Sequence, residues 1–439
     1  MATETARVAL FWEKTFLWGL IAFDTFRKLN IDFDLLSADD IRHGRLNDYD
    51  VLFVPGGWAS DKIQALGEDG AEAIRSFVAG GGSYLGFCGG AGLALSHKSG
   101  LGLAMIGRLP SSVRVPSFSG DIALEPAAPD HPMWRGLPGG GVFHAWWPGQ
   151  IAPEEGSGIR VLARYGEPGA DAYVTDLPVL PQMDWNTWEQ RYGINLDPRR
   201  LKGEPAVFET RFGEGKVFMS YPHFETPGDT EGHRVLLNIL EYLADGKPVA
   251  ITGGKREGGE AAQAGLEVKA LASAIALALK HSVDELVDFG KQNFLWYERN
   301  DWILGWRRGV RGVEYSTLHA MLDRLAVVVP KAVDLDKREL DKLLCLRDLA
   351  SSFFPKAHDL LCLERDAMRL GPISPLKTDD KQIEALREKL FSTSKRCGGL
   401  FEEIIDLADE ILLPLLREEL ALEKKTGTEK TGEKTGTQY

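Results

Sequence analysis

The stretch Ser83-Tyr84-Leu85-Gly86-Phe87-Cys88-Gly89-Gly90-Ala91 decides the fold of the first half of the chain. Its apolar beginning is typical of a buried strand, and the residues from Ala91 onward favour a helix. The glycines on both sides of Cys88 predict a tight strand-to-helix turn, because they let the backbone pass closely. Such a turn would lift the thiol clear of the sheet and place it at a helix N-terminus, where the helix dipole favours thiolate. The competing interpretation is a buried structural cysteine in a glycine-rich turn.

Short apolar strands alternate with helices on both sides of this stretch. Strands are predicted at residues 8–11, 32–36 and 49–54, and helices near residues 15–29 and 71–79. Residues 207–220 are typical of a late hairpin, and residues 231–243 of a closing helix. The alternation predicts an α/β fold with a doubly wound, mostly parallel, flavodoxin-like sheet, whose ligands lie at the carboxyl ends of the strands.

The sequence changes character near residue 250. Residues 252–260 read Thr-Gly-Gly-Lys-Arg-Glu-Gly-Gly-Glu, which cannot bury apolar surface and is typical of a flexible linker. Beyond it, apolar residues recur at helical spacing, and the run from Ile383 to Ile411 follows a heptad almost without interruption. We therefore predict an α/β domain at 1–248, a linker at 249–261, an all-α helical bundle at 262–422 and a disordered tail at 423–439.

Composition excludes several classes of protein. The 51 basic and 64 acidic side chains give a net charge of −13, which disfavours binding to nucleic acid or to an anionic membrane. The apolar run 8–23 contains two charges, and no other stretch reaches about 18 uninterrupted apolar residues. We expect a soluble, cytoplasmic protein.

The cysteines are too few and too scattered for a disulfide framework or a zinc site. We therefore expect a reduced protein with no metal and no cofactor. Three of them fall in predicted helical cores, and the fourth is Cys88; the full set is Cys88, Cys345, Cys362 and Cys397.

A second chemical motif, Tyr221-Pro222-His223-Phe224-Glu225, follows the last predicted strand. A thiol nucleophile needs a base, and the base needs a group that orients it. His and Glu two residues apart on an extended segment point the same way. Glu225 could therefore hold the imidazole of His223 while that ring faces the thiol.

A third motif, Pro55-Gly56-Gly57, ends the third predicted strand. Glycines there free backbone N–H groups to face an anion, so Gly57 and the Gly89 amide are candidates for an oxyanion hole. Trp58 follows directly and could roof the pocket or close it. Trp146, with Trp147 beside it, could line the pocket for a flat or apolar substrate.

The order of Pro-Gly-Gly, Gly-x-Cys-x-Gly and Pro-His-x-Glu resembles the class I glutamine amidotransferase-like superfamily over residues 5–245. Within it, the chain is similar to the N-terminal domain of fungal and animal-type biotin–protein ligases, also seen in free-standing bacterial proteins. Here a helical domain is added after it. The resemblance implies that Cys88 is the nucleophile, His223 the base, Glu225 the orienting group, and Gly57 with Gly89 the oxyanion hole.

The chain departs from this pattern in two places. Glutaminase subunits usually carry a substrate-binding Gln four residues after the nucleophile, where this chain has Gly92. The biotin-ligase Gly-Arg-Gly-Arg-type loop is also missing. We therefore expect a cysteine hydrolase acting on an amide or related acyl substrate, neither optimised for glutamine nor a biotin ligase.

Two alternatives stay open. The first is a catalytically silent binding or regulatory module whose helical domain engages a protein partner. The second is an intracellular-protease-like member of the superfamily, in which Glu13 would support the cysteine. In the helical half, the aromatic residues between Phe294 and Trp306 alternate with arginines, which predicts either a binding surface or a helix–loop–helix packed into the bundle.

Overall fold

A computed structural model of the chain describes residues 5–97, 100–110, 112–151, 157–249, 266–333, 335–371, 373–374, 378–392 and 397–432. The chain divides into two compact units, Met1–Ile251 and Thr252–Tyr439. The predicted linker lies outside the described residues except for Val249, and so do residues 433–439 of the predicted tail.

The described part of the first unit contains one eleven-stranded sheet. Its strands in chain order are β1 (Val8–Phe11), β2 (Phe33–Leu36), β3 (Val51–Val54), β4 (Ser83–Phe87), β5 (Phe118–Pro126), β6 (Gly141–Trp146), β7 (Arg160–Pro168), β8 (Tyr173–Val174), β9 (Leu177–Pro178), β10 (Pro205–Phe212) and β11 (Gly215–Ser220). The helices are α1 (Leu17–Lys28), α2 (Ala38–Arg42), α3 (Ala59–Ala79), α4 (Gly89–Ala94), α5 (Trp185–Tyr192) and α6 (Thr230–Leu243).

The strands follow the order β2-β1-β3-β4-β11-β10-β7-β5-β8-β9, and β6 pairs with β5. The first five of these run parallel, and the pairings beyond β11 are antiparallel. Every residue of β1 and β3 is buried, as expected for strands covered on both faces. The predicted α/β class is confirmed, and the antiparallel half extends the late hairpin that the sequence indicates.

An aromatic series crosses the core of the first unit directly below the carboxyl ends of β4 and β11. Phe26, Phe53, Phe87 and Phe224 follow one another with ring centroids 5.1, 5.1 and 5.7 Å apart. Phe87 precedes Cys88 and Phe224 follows His223, so the backbone of each candidate residue is anchored in the core by its neighbour. Tight aromatic packing of this kind leaves little freedom to the segments above it.

The second unit is mainly helical, as predicted. Its elements are α7 (Leu266–Gln292), β12 (Trp296–Asn300), β13 (Ile303–Trp306), α8 (Val313–Val328), α9 (Lys337–Leu370), α10 (Lys381–Phe391) and α11 (Gly399–Gly432). Its core contains a buried ion pair in which Arg387 donates to Glu364 Oε1 at 2.7 Å and also to the Gly309 carbonyl. Burial outweighs the attraction to Arg387 and raises the pKa of Glu364 to about 7.

The prediction of an all-α second unit is wrong in one place, because the aromatic cluster forms the hairpin β12–β13. Asn300 Oδ1 accepts hydrogen bonds from the Trp302 and Ile303 amides and so closes a turn, while Trp296 is buried. Aromatic residues around an Asn-based turn favour a hairpin over a helix–loop–helix.

Two other expectations for this unit also differ from the structure. The apolar heptad run is split between α10 and α11 at Ser392, whose φ of 63° cannot continue a helix. Helix α11 continues to Gly432, into the predicted tail. Extending an existing helix costs far less than starting one, which explains why polar residues follow it. No helix among the described residues is long and apolar enough to cross a membrane.

Candidate functional site

Cys88 lies at the turn between β4 and α4, where the sequence places it. Its backbone has φ 49° and ψ −103°, a region that residues with a Cβ rarely adopt. Such strain costs on the order of 1–3 kcal/mol and concentrates at functional sites. The Cys88 amide donates to the Ser220 carbonyl at 2.7 Å, which ties the turn to the end of β11.

The glycines around Cys88 are required by the close approach of α4 to the sheet. A Cβ on Gly90 would lie 2.0 Å from the Val54 carbonyl oxygen, and one on Gly86 would lie 2.6 Å from the Gly90 backbone. The Tyr84 hydroxyl donates to the Gly90 carbonyl at 2.7 Å and fixes the turn from below. The Gly-x-Cys-x-Gly pattern therefore reports a real packing constraint.

His223 and Glu225 form a buried pair beyond the end of β11. The carboxylate Oε1 of Glu225 lies 2.7 Å from Nδ1 of His223, and both side chains are excluded from solvent. The backbone on each side is also fixed, since the His223 amide donates to the His144 carbonyl and the Thr25 hydroxyl donates to the Glu225 carbonyl. The structure thus gives Glu225 the geometry of a group that orients the imidazole.

The charges around His223 favour its protonated form. Burial lowers the pKa of His223, but the Glu225 carboxylate and the nearby Cys88 thiol act against burial and raise it to about 10. The ring is therefore predominantly imidazolium at neutral pH.

The Cys88 thiol donates its hydrogen bond to the Trp146 carbonyl, with 3.4 Å between Sγ and the oxygen. His223 Nε2 is buried and has no hydrogen-bond partner among the described residues. The thiol is nevertheless near enough to the ring to raise the pKa of His223.

Gly57 and Gly89 are in direct contact. A Cβ on Gly89 would lie 1.7 Å from the Gly57 carbonyl oxygen and 3.1 Å from the Gly57 nitrogen. Gly57 has φ +107°, which only glycine adopts easily. The candidate oxyanion residues therefore lie side by side at the edge that carries Cys88.

A buried lysine adjoins this pair of glycines. Lys62 is 0% exposed, donates from Nζ to the Lys14 carbonyl at 3.0 Å, and lies 3.3 Å from the position of a Cβ on Gly57. The Lys62 side chain is therefore held beside Gly57 by its bond to the Lys14 carbonyl.

Tryptophans form a wall beside the thiol. Trp18 stacks on the His223 ring with centroids 4.4 Å apart, and Trp146 lies 6.1 Å from Trp18. Trp147 lies 5.8 Å from Trp146 and stacks with Trp58 at 5.6 Å. Trp147 also has a positive φ of 46°. Trp58 and Trp146 thus belong to one continuous aromatic group.

Trp18 and Lys62 are absent from the sequence-based site. Neither belongs to a motif, and each reaches the site from a helix that follows a central strand. Only the predicted topology could have indicated these two residues, because the N-termini of such helices lie at the same edge of the sheet as the carboxyl ends of the strands.

Other sequence-based candidates have plainer surroundings. Glu13 Oε2 accepts a hydrogen bond from the Ala38 amide at 2.6 Å, so it caps α2. A Cβ on Gly92 would meet Ala59 Cβ at 3.7 Å, an ordinary contact, so a side chain at this position is not excluded by the backbone. The prediction that the other three cysteines lie in helical cores is wrong: Cys345 on α9 is exposed, and Cys362 on α9 and Cys397, which precedes α11, are half-buried.

One group of described residues has the composition of a metal site. Asp121, His144 and Asp171 offer ligand atoms within 4.8 Å of one another. His144 Nδ1 lies 3.4 Å from Asp121 Oδ1, and the Asp121 amide donates to Asp171 Oδ1. Both contacts are those of an ordinary hydrogen-bonded His–Asp cluster, and both carboxylates are at least partly exposed.

Comparisons with known proteins bear mainly on the first unit. Residues 46–98 match the family model described as biotin-protein ligase, N terminal, a segment that includes Gly57 and Cys88 but ends before His223. None of the curated proteins compared with this chain matches it.

Three solved structures illustrate the structural similarity. PurLQS of Thermotoga maritima has a TM-score of 0.36 and 18% identity, with 55% of this chain and 100% of that chain covered. A protein of Thermoplasma acidophilum described as a GMP synthase subunit has a TM-score of 0.35 and 13% identity, with coverages of 55% and 96%. The β-galactosidase of Bacillus circulans sp. alkalophilus has a TM-score of 0.33 and 19% identity, with coverages of 60% and 35%.

Proposed function

We propose that the first unit is an amidotransferase-like cysteine hydrolase that acts on an amide or related acyl substrate. One observation carries the proposal: a cysteine held in a strained turn lies beside a fully buried His–Glu pair. A protonated imidazole next to a thiol favours the thiolate, which is the nucleophilic form of cysteine.

The residues then take the following roles. The Cys88 sulfur attacks the acyl carbon and forms a C–S bond, while the carbonyl oxygen takes negative charge beside the Gly57 and Gly89 amides. His223 gives its proton to the leaving amine as the C–N bond breaks. Water then attacks the thioester as the now neutral His223 takes its proton, which breaks the C–S bond, releases the acid and restores the thiolate beside the protonated imidazole. Glu225 holds the imidazole throughout.

The substrate is not expected to be glutamine. The residue that would contact glutamine in related glutaminases is replaced by Gly92, and the tryptophan group supplies apolar walls instead. Residues 46–98 match a biotin–protein ligase N-terminal family model, but the sequence lacks the Gly-Arg-Gly-Arg-type loop of biotin ligases, so we do not propose biotin transfer.

A silent binding or regulatory module is the second candidate. It is favoured by the hydrogen bond of the Cys88 thiol to the Trp146 carbonyl and by the stacking of Trp58 on Trp147, which ties the residue after Gly57 to the residue after Trp146. In this case the helical unit would engage a protein partner.

A working thiol also needs a reducing compartment, and we therefore propose the cytoplasm for the protein.

Cys88-dependent hydrolysis tests the proposal. A panel of primary amides, anilides and thioesters is offered to the wild type, to Cys88→Ala and to Cys345→Ala, with product acid and released ammonia or amine measured. We expect turnover that Cys88→Ala abolishes and that Cys345→Ala retains, because Cys345 is an exposed helix residue. Little ammonia should come from glutamine. Turnover that survives in Cys88→Ala would refute Cys88 as the nucleophile, and inactivity over the whole panel would leave the binding module as the better account.

A further inference from the structure

Tyr221 is a buried polar side chain for which the hydrolase mechanism has no use. It is 1% exposed, and its hydroxyl makes no hydrogen bond within the described residues. Leaving a buried hydroxyl without a partner costs on the order of 1–3 kcal/mol, so such a group usually forms a hydrogen bond with a bound ligand or with water.

Tyr221 and Cys88 both contact the backbone segment 146–149. It follows β11 directly and precedes His223 by two residues. Its ring lies against Gly149, where a Cβ would be 2.1 Å from Cζ and 2.3 Å from the hydroxyl oxygen. The Cys88 amide donates to the carbonyl of Ser220, the residue directly before Tyr221, and the Cys88 thiol donates to the Trp146 carbonyl, three residues before Gly149. Tyr221 and Cys88 therefore adjoin the same end of β11.

Two arginines reach this region from the loop between α4 and β5. The Leu109 amide donates to the Gln150 carbonyl at 2.9 Å, and the Val115 amide donates to Gln150 Oε1 at 2.8 Å. Asn195 Nδ2 donates to the Arg114 carbonyl at 3.0 Å. These bonds fix the backbone of Leu109, which follows Arg108, and that of Arg114 and Val115.

Neither guanidinium is neutralised. Within the described part of the chain, the side chains of Arg108 and Arg114 make no ion pair and no hydrogen bond, and Arg114 Nε is buried without a partner. Burial and then the charge of Arg108 lower the pKa of Arg114, so the positive charge of Arg108 disfavours the charged form of Arg114. Two neighbouring guanidinium groups that have no partner among the described residues are expected to bind an anion.

The three side chains and the thiol share one electrostatic environment. Burial raises the pKa of Tyr221, the charges of Arg108 and Arg114 lower it, and the charge of Cys88 raises it further. Cys88 and Arg108 likewise act on the buried Tyr165 hydroxyl, which donates to the Gly149 carbonyl at 3.4 Å.

We propose that Arg108, Arg114 and the Tyr221 hydroxyl form an anion subsite beside Cys88, which binds a carboxylate or phosphate on the acyl portion of the substrate. This inference rests on the proposed hydrolase function and names its substrate class. Guanidinium and phenol groups donate to anionic oxygens, and none of these three side chains donates to another described residue. Two cations also disfavour an ammonium group nearby, so a purely anionic amide such as glutaramate suits the subsite better than zwitterionic glutamine.

Alkylation of Cys88 tests the subsite without any substrate turnover. Iodoacetate and iodoacetamide form the same C–S bond with loss of iodide and differ in the carboxylate. Their labelling rates are measured by mass spectrometry at Cys88 and, in the same molecules, at the exposed Cys345, which serves as the internal reference. The variants are Arg108→Gln, Arg114→Gln and Tyr221→Phe, and Arg135→Gln is the matched control because its partner is Glu241 on α6.

We expect the iodoacetate-to-iodoacetamide ratio at Cys88 to exceed that at Cys345 by about tenfold, the factor given by about 1.4 kcal/mol of charge-assisted binding. Each arginine variant should lower the ratio at least threefold, and Arg135→Gln should leave it unchanged. Succinate and inorganic phosphate, added as competitors, distinguish a carboxylate subsite from a phosphate subsite by which one slows iodoacetate labelling. If succinate or phosphate slows the labelling of Cys88 in the wild type but not in Arg114→Gln, the inference is supported.

A ratio at Cys88 no higher than at Cys345, and unaffected by the arginine variants, would overturn the subsite. The outcome is separable from that of the proposed function. Hydrolysis by a protein that lacks the anion preference would keep the hydrolase and reject the subsite. An anion preference in a protein that hydrolyses nothing in the panel would keep the subsite and reject the hydrolase.

Discussion

Replacing Glu225 by Gln tests the electrostatic basis of the candidate site with little change of shape. The carboxylate oxygen lies 2.7 Å from His223 Nδ1, and neither side chain is exposed. Glutamine keeps an oxygen that can accept the Nδ1–H bond but removes the negative charge. Burial of the imidazole would then be opposed only by the Cys88 thiol.

The expected magnitude follows from the pKa of His223. A rise of this pKa from its ordinary value of 6.5 to about 10 corresponds to roughly 5 kcal/mol in favour of the protonated ring. Because the folded-state pKa lies above the unfolded-state value, this stabilisation is present in full below about pH 6.5 and is lost as the pH rises through about 10. In Glu225→Gln we expect the pKa of His223 to fall by several units and the first unit to lose about 3–5 kcal/mol of stability near pH 6, as for other broken buried pairs.

Histidine-selective ¹⁵N NMR between pH 5 and 11 measures the titration directly, with the His223 signal assigned from its loss in His223→Gln. Glu241→Gln is the matched control, since that carboxylate pairs with Arg135 at the surface and contributes at most about 1 kcal/mol. A His223 pKa within one unit of 6.5 in the wild type, or an unchanged titration in Glu225→Gln, would refute the reasoning.

One pair of substitutions tests the packing of the first unit, and a second pair tests the buried ion pair of the second unit. Gly90→Ala should destabilise the first unit by several kcal/mol and abolish fast Cys88 labelling, because its Cβ would lie 2.0 Å from the Val54 carbonyl oxygen; Gly92→Ala, with its nearest contact at 3.7 Å, should be neutral or stabilise by up to about 1 kcal/mol in the same urea titrations. In the second unit, Arg387→Met should cost about 3–5 kcal/mol because it leaves Glu364 buried and unpaired, and adding Glu364→Leu should restore most of that loss in thermal unfolding followed by circular dichroism. Failure of the double variant to recover would contradict a purely electrostatic cost.

The parts of the site that sequence patterns could predict are those that depend on local structure. The Gly-x-Cys-x-Gly turn, the Pro-Gly-Gly turn and the Pro-His-x-Glu segment each end a buried strand. Neighbouring parallel strands place their carboxyl ends at one edge, so three separate motifs indicate one site. The backbone contact between Gly57 and Gly89 is the kind of approach that explains why both are glycines.

The remaining parts depend on which distant elements pack together. Trp18 and Lys62 reach the site from helices, and Arg108 and Arg114 from a loop held by Gln150; none of these positions has a local pattern. The heptad run in the second half illustrates the converse. Its spacing is correct on both sides of Ser392, but periodicity carries no information about a positive φ that interrupts the helix.

The energetic cost of the site bears on the choice between hydrolase and silent module. The positive φ of Cys88 opposes folding, and so does Nε2 of His223, which is buried without a hydrogen-bond partner among the described residues. Breaking the buried His223–Glu225 pair is costly, but apolar residues of similar volume could replace the whole pair at no loss of stability. A fold that only presents a binding surface has no physical need for this arrangement. An activated thiol does need it, because the buried Glu225 carboxylate holds the imidazole protonated beside the sulfur. The cost is therefore better explained by chemistry at Cys88 than by structure alone.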